Sequence, residues 1–286
     1  MLIVQGDTSS ALGGALAASE LGIPLAHVEA GLRTHNPSLP WPEEQNRVTI
    51  DRLSDLLFAP TAGNAANLRH DQLAGRIYVT GNTGIDALAE IVGPLPVFPR
   101  RRWLPRRHFK LLVTCHRREN WGAGLENLAE AILVLTDDGV RADVIMPPNP
   151  VVAEGLSRLL HDRPGVALVP PLSHLATIRA MRNADLILSD SGGMQEEAPA
   201  LGVPLLVLRQ KTERPEGLAS GSMELVGVDP DRIVETVERL RSDRRLLRDM
   251  ARPRMPFGDG HAATRIARHC LEFLTEMDRA RGSCRA

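Results

Sequence analysis

The chain has 286 residues, a formal charge of −1, and hydrophobic and charged fractions of 43% and 24%. That length holds one large or two medium domains, and the composition is that of a folded globular protein. The near-zero charge excludes a global field that recruits nucleic acid or an anionic membrane, and no apolar run is long enough to insert into a bilayer.

Met1–Asp7 lacks the basic start and cleavage site of a signal peptide and reads as a core strand from its first residues. Further strands are predicted at Ala26–Val28, Leu56–Phe58 and Ile77–Val79, with helices around Ala11–Leu21, Glu44–Leu53 and Ala62–Leu68 between them. Gly93 to Pro99, followed by Arg100-Arg101-Arg102, reads as an interdomain linker. Strands then return at Leu111–Val113, Val144–Met146, Ala167–Val169, Leu186–Leu188 and Leu205–Leu208. A last helix, about Ala262 to Met277, places Ile266, Cys270, Phe273 and Leu274 on one face. Alternation of this kind predicts an α/β fold with parallel sheets. The three cysteines, Cys115, Cys270 and Cys284, are odd in number and lack metal-ligand spacing, which fits a reduced, cytoplasmic compartment.

The most informative segment is Asp190-Ser191-Gly192-Gly193-Met194-Gln195-Glu196-Glu197-Ala198-Pro199. It follows a buried strand, and a helix is expected from Gln195 onward. Glycines that admit close backbone approach, placed at a helix N-terminus, make an anion site. Glu196 and Glu197 cannot serve a phosphate and are read as holding sugar hydroxyls. The pattern predicts a nucleotide diphosphate with its ribose nearby.

Two further groups lie at predicted strand ends, which face the ligand crevice in open α/β sheets. In the first half these are Asp7, Glu29, and Glu43, Glu44 and Arg47; clustered carboxylates of this kind can divide into a protonated acid and an ionised base. Helix capping and surface ion pairing are the alternative, and for Asp7 alone both readings stand. In the second half His116, flanked by Arg117 and Arg118, can meet a diphosphate through forked arginine hydrogen bonds and a histidine proton. Arg214, in Thr212-Glu213-Arg214-Pro215-Glu216, can approach the same phosphates. Cys115 reads as a small strand-end residue, and Phe257 to His261 as a cap for the final helix.

In order, Gly6-Asp7-Thr8, His27 to Thr34, Trp41 to Arg47, Thr80-Gly81-Asn82-Thr83, His116 to Asn120, Asp190 to Pro199, Thr212 to Glu216 and Gly258-Asp259-Gly260 resemble the non-hydrolysing UDP-N-acetylglucosamine 2-epimerase family. The resemblance covers nearly the whole chain. It implies two Rossmann-like domains in a GT-B arrangement around the substrate: an N-terminal domain over 1–92, a linker over 93–108, a UDP-binding domain over 109–256, and a terminal segment over 257–286 whose helix crosses back. It implies UDP-GlcNAc as substrate, UDP-ManNAc as product, no metal or redox cofactor, and a homodimer. By motif, Asp7, Glu29 and Glu43 match catalytic carboxylates and His116 an active-site histidine. Arg47 lies in the acidic motif, and Arg117 flanks that histidine. Ser191, Gly192 and Glu197 match UDP-holding positions, with Glu197 on the ribose, and Arg214 matches a phosphate-side arginine.

The chain departs from the family in two places. Family members begin with a strand carrying Gly-Thr-Arg-Pro-Glu, whereas Met1 here falls at a middle strand, so the first domain reads as incomplete at its N-terminus. A fragment or misassigned start, half of a split enzyme completed by a separate N-terminal polypeptide, and a non-catalytic sugar-nucleotide-binding remnant all account for that; the intact motifs favour the first. Met146 to Val151 also lacks the histidine of the family's Pro-Val-His-Leu-Asn-Pro stretch. A GT-B glycosyltransferase is the competing enzyme class, and it has no use for the clustered N-terminal acids.

Overall fold

The computed structural model describes residues 1–95 and 108–283. Two compact units emerge, one of Met1–Glu90 together with the chain from Phe257 onward, the other of Ile91–Pro256. Most of the linker expected over 93–108, and Cys284, lie outside the described residues.

The first unit opens with β1 (Leu2–Gln5), α1 (Ser9–Glu20), β2 (Leu25–Val28), α2 (Glu43–Leu53), β3 (Leu56–Ala59), α3 (Ala62–His70), β4 (Arg76–Val79) and α4 (Thr83–Val92). Its four strands are parallel, in the order β1-β2-β3-β4. β2 and β3 are buried along their whole length, which is why they read as continuous apolar runs. On one face Val4 and Leu25 pack on Ala11, Ala15 and Ala18 of α1 and Ile50 of α2, and Leu57 and Ala59 pack on Ala65 and Leu68 of α3.

The second unit runs β5 (Lys110–Thr114), a 3-10 turn (Arg118–Asn120), α5 (Ala123–Asp137), β6 (Arg141–Ile145), α6 (Pro150–Leu160), β7 (Val166–Val169), α7 (His174–Asn183), β8 (Leu186–Ser189), α8 (Gly192–Leu201), β9 (Leu205–Val207), α9 (Pro215–Ala219), β10 (Met223–Leu225), α10 (Pro230–Ser242) and α11 (Arg244–Met250). The six strands are parallel in the order β10-β9-β8-β5-β6-β7. From β5 the chain winds one way to β7, then crosses back to β8 and winds the other way. The reversal opens a crevice at the carboxyl ends of β5 and β8, the position where open α/β sheets bind ligands. Leu111, Val113, Leu186 and Leu188 join the helices α5, α6, α10 and α11 in one large core. Leu112, Ile187 and Leu205 point to the opposite face and are equally buried.

The last helix, α12 (Ala262–Ser283), belongs to the first unit. Its Ile266 and Cys270 pack on Ala26, Val28, Leu56 and Phe58, on the sheet face opposite α1, and Phe273 supports them.

All nine predicted strands are present, with shifted ends; β10, three residues long, escaped the pattern. Three other expectations are corrected. Leu274 is exposed, because α12 turns it beyond the edge of the apolar contact. The helix expected from Gln195 begins at Gly192, because the two glycines are its first turn. The cap of α12 comes from Asp86 of α4, whose carboxylate oxygens accept the N–H groups of Ala262 (3.0 Å) and Ala263 (2.7 Å). Asp259 is instead held by Arg265 at 2.6 Å, which, against a small opposing effect of burial, lowers its carboxyl to about 2.

Candidate active site

At the end of β5 and β8 the threonine and serine hydroxyls of Thr114 and Ser189 meet at 2.6 Å, locking the two strands at the switch point. Asp190 follows and is fully buried. Its Oδ2 accepts the backbone N–H of His116 (2.9 Å) and Arg117 (2.8 Å) and the amide of Asn120 (3.1 Å); its Oδ1 faces His116 Nδ1 at 3.1 Å. Burial opposes ionisation of this carboxyl, but the His116 hydrogen bond and charge and the two backbone N–H groups outweigh it and hold the pKa below the usual carboxylate range. An ionised Asp190 accepts only, so His116 Nδ1 carries a proton toward it and Nε2 is the nitrogen left to face a substrate. The His116 side chain is about half exposed (47%), as a group that meets a ligand must be. Cys115 Sγ lies 3.4 Å from the same carboxylate. Burial and that negative charge push its thiol far up, so Cys115 is a packing residue.

Ser191 is the N-cap of α8, and its side chain makes no capping hydrogen bond; its own N–H goes to Ser189 Oγ at 3.0 Å. The first turn of α8 therefore presents the backbone of Gly192 and Gly193 beside the Ser191 hydroxyl, which is not spent on capping. Gly192 is needed for space: a Cβ there would meet the Arg214 guanidinium at 3.0 Å. Arg214 is placed by two carboxylates, donating from Nε to Glu196 Oε1 at 2.6 Å and from Nη1 to Glu213 Oε1. Glu213 also takes Arg209 Nη1 at 2.8 Å, and Arg209 Nε reaches Glu119 Oε1 at 2.9 Å. One buried chain of charges thus joins the loop after β5 to the loop after β9. Glu196 is spent on that chain and is corrected from a sugar-binding residue to an arginine holder. Burial pushes its carboxyl up against the pull of Arg214. Glu197, the next residue, points elsewhere and meets His174 Nε2 at 2.6 Å.

In the first unit, Asp7 follows β1 and Glu29 follows β2. Thr8 caps α1 by accepting the Ala11 N–H at 3.2 Å, so Asp7 is released from capping. Its Oδ2 accepts from Arg47 Nη2, and its carbonyl accepts the Asn46 amide at 2.8 Å. Arg47 is buried; its Nη1 faces Glu44 Oε2 as an ion pair at 3.5 Å, without a hydrogen bond, and its Nε makes none among the described residues. Buried polar atoms left this way are a cost to folding that stable cores avoid. Glu29 sits at φ +71°, a left-handed conformation that costs a non-glycine residue about 1–3 kcal/mol and clusters at functional sites. Its Oε2 lies 3.4 Å from where Gly6 would carry a Cβ, so the ends of β1 and β2 stand side by side. Glu43 opens α2, four residues before Arg47 and on the same helical face. Glu44 instead braces the preceding loop, accepting the N–H groups of Thr34 (2.9 Å) and His35 (3.0 Å). The structure therefore gathers Asp7 with Arg47 and Glu29 with Gly6 in one unit, and His116, Arg117, Ser191, Gly192 and Arg214 in the other.

Sequence reasoning missed the hub role of Asp190, the His174–Glu197 pair, and a buried His27–Asp51 contact at 2.6 Å that fixes β2 to α2. His27 Nε2 also reaches the Gly6 carbonyl at 2.9 Å and so anchors the residue before Asp7. Among the described residues no cluster of three or more histidine, cysteine or carboxylate side chains can hold a metal, and no helix is long and apolar enough to cross a membrane.

Residues 1–271 match the family model of the UDP-N-acetylglucosamine 2-epimerases. A UDP-N-acetylglucosamine 2-epimerase of Escherichia coli is 40% identical over 277 residues, covering 93% of this chain and 74% of that protein. Among solved structures, the UDP-GlcNAc 2-epimerase of Neisseria meningitidis bound to UDP-GlcNAc superposes with a TM-score of 0.88 at 38% identity, covering 94% of this chain and 76% of that one. MnaA of S. aureus in complex with UDP gives 0.87 at 35% identity, covering 96% and 75%. By the family model over most of its length and by relatives at about 40% identity, this chain belongs to the UDP-N-acetylglucosamine 2-epimerase family.

Proposed function

We propose that the chain inverts C2 of UDP-N-acetylglucosamine to give UDP-N-acetylmannosamine by elimination and re-addition of UDP. The observation that carries this is the Asp190 hub, which holds His116 and Arg117 beside the first turn of α8 at the switch point. Donors in that arrangement match a leaving diphosphate. The sugar's C2 proton is not next to a carbonyl and is a poor acid. Breaking the C1–O bond supplies the missing drive: the bonding pair leaves with the diphosphate oxygen, C1 gains oxocarbenium character, and a carboxylate takes the C2 proton as the C1–C2 double bond forms. Return of a proton to the other face of C2, with attack of the diphosphate oxygen on C1, restores the bond in the inverted product.

In this reading Ser191, Gly192, Arg117 and Arg214 hold the diphosphate, Glu197 holds the ribose, and His116 stabilises or protonates the departing oxygen. Asp7, Glu29 and Glu43 supply acid and base on the two faces of C2, with Arg47 holding Asp7 in place. Family resemblance adds a homodimer, which light scattering of the purified chain tests. Turnover in deuterated water is the test of the route: product released early must carry deuterium at C2. Product without deuterium overturns elimination, and UDP binding with no product at all overturns the assignment as an enzyme in favour of a binding protein.

A further inference from the structure

The reaction scheme leaves the short His174–Glu197 contact on α8 unused. His174 is the first residue of α7, behind the N-cap Ser173, whose side chain accepts the Ala176 N–H. Its Nε2 stands 2.6 Å from Glu197 Oε1. The two residues differ in accessibility: the Glu197 side chain is 11% exposed and that of His174 47%. A carboxylate accepts only, so the histidine donates. Oε1 gives one lone pair to His174 and the carboxylate keeps the others. A vicinal diol, with two donor hydroxyls, needs an ionised carboxylate in a fixed rotamer to accept from both.

We infer that His174 is a positioning residue for the sugar ring of the nucleotide: by donating to Oε1 it orients the Glu197 carboxylate and keeps it an acceptor for the ribose diol. This rests on the proposed UDP site, and within it assigns a determinant of selectivity to a residue outside the glycine and arginine motifs. Burial raises the Glu197 carboxyl, and the His174 hydrogen bond and charge oppose that rise. Without the imidazole the carboxyl takes up a proton more readily and becomes free to rotate, and both changes weaken a diol more than they weaken a diphosphate.

The experiment is calorimetric binding of UDP and of 2′,3′-dideoxy-UDP to the full chain and to His174→Ala and His174→Gln. The wild type is expected to prefer UDP by about tenfold or more, as befits hydrogen bonds to a charged group. His174→Ala is expected to lose most of that preference while its affinity for the dideoxy analogue stays within about twofold. His174→Gln, which restores an N–H donor, is expected to recover it. With substrate, the alanine change falls on KM and not on kcat. An undiminished preference in His174→Ala, or an equal loss for both ligands, overturns the inference while leaving the UDP site standing. Failure of the wild type to bind either diphosphate overturns the UDP site itself.

Discussion

Glu197 carries a stability cost that its proposed role on the ribose explains. Its carboxyl is raised above the ordinary value because burial disfavours the charge, and His174 offsets this only in part. A folded-state pKa above the unfolded value of about 4.3 means that the folded protein holds the proton more tightly. The resulting stability is fully present below that unfolded value and is lost as pH rises through the folded one, so ionising the side chain works against folding. Glu197→Gln removes the charge and keeps an acceptor for His174. It is expected to melt above the wild type at pH 7, with the difference shrinking toward pH 4, and to bind UDP more weakly. Thermal melts across pH 4–8 check this; a lower melting temperature at pH 7 shows that the His174 pairing outweighs the burial cost. Asp190 has the opposite sign. Its folded pKa is lowered, so its contribution is present above the unfolded value of about 3.9 and is lost as pH falls through the folded one.

At the scale of elements, α12 depends on a residue far from it in sequence. Asp86 satisfies two of its first N–H groups across 176 and 177 positions. Asp86→Ala leaves both without that partner and is expected to cost about 1 kcal/mol, as other N-cap losses do. Urea unfolding followed by circular dichroism measures the loss, and an unchanged midpoint contradicts the capping role. The cap also shows what a sequence hides. Strands β2, β3 and β8 were legible because both of their faces are buried, which forces apolar residues at every position. The Ser191 turn was legible because glycines next to a strand end have few other uses. Asp86, Asp190 and His174 act across loops on partners 23 to 177 positions away, and no local spacing marks such a pairing. Glu196 misled for the same reason: beside Glu197 it reads as the second of two sugar ligands, and only the fold brings Arg214 to it.

Across the whole molecule, the candidate chemistry is divided between units that have separate cores. The carboxylates Asp7, Glu29 and Glu43 stand in the first, and the diphosphate cradle of His116, Ser191, Gly192 and Arg214 in the second. Such a division separates binding from proton transfer and allows each to be removed alone. Asp7→Asn takes a carboxylate from the first unit and leaves the hydrogen-bond partners of Asp190 and Arg214 in place. It is expected to lower kcat by about 100-fold or more, the scale of a lost general acid or base, with the Kd for UDP within about twofold of wild type. Arg47, buried beside it, then loses the nearer of its two carboxylate partners and keeps only Glu44 at 3.5 Å, so the same change lowers the stability of the first unit. Gly192→Ala does the reverse. Its new methyl group meets the Arg214 guanidinium, which Glu196 and Glu213 hold from two sides and which has little room to retreat. UDP affinity is expected to fall at least tenfold, while Asp7 and Arg47 are untouched. Calorimetry and single-turnover rates on the two variants decide the matter: an Asp7→Asn protein that loses UDP, or a Gly192→Ala protein that binds it as the wild type does, contradicts the division of labour.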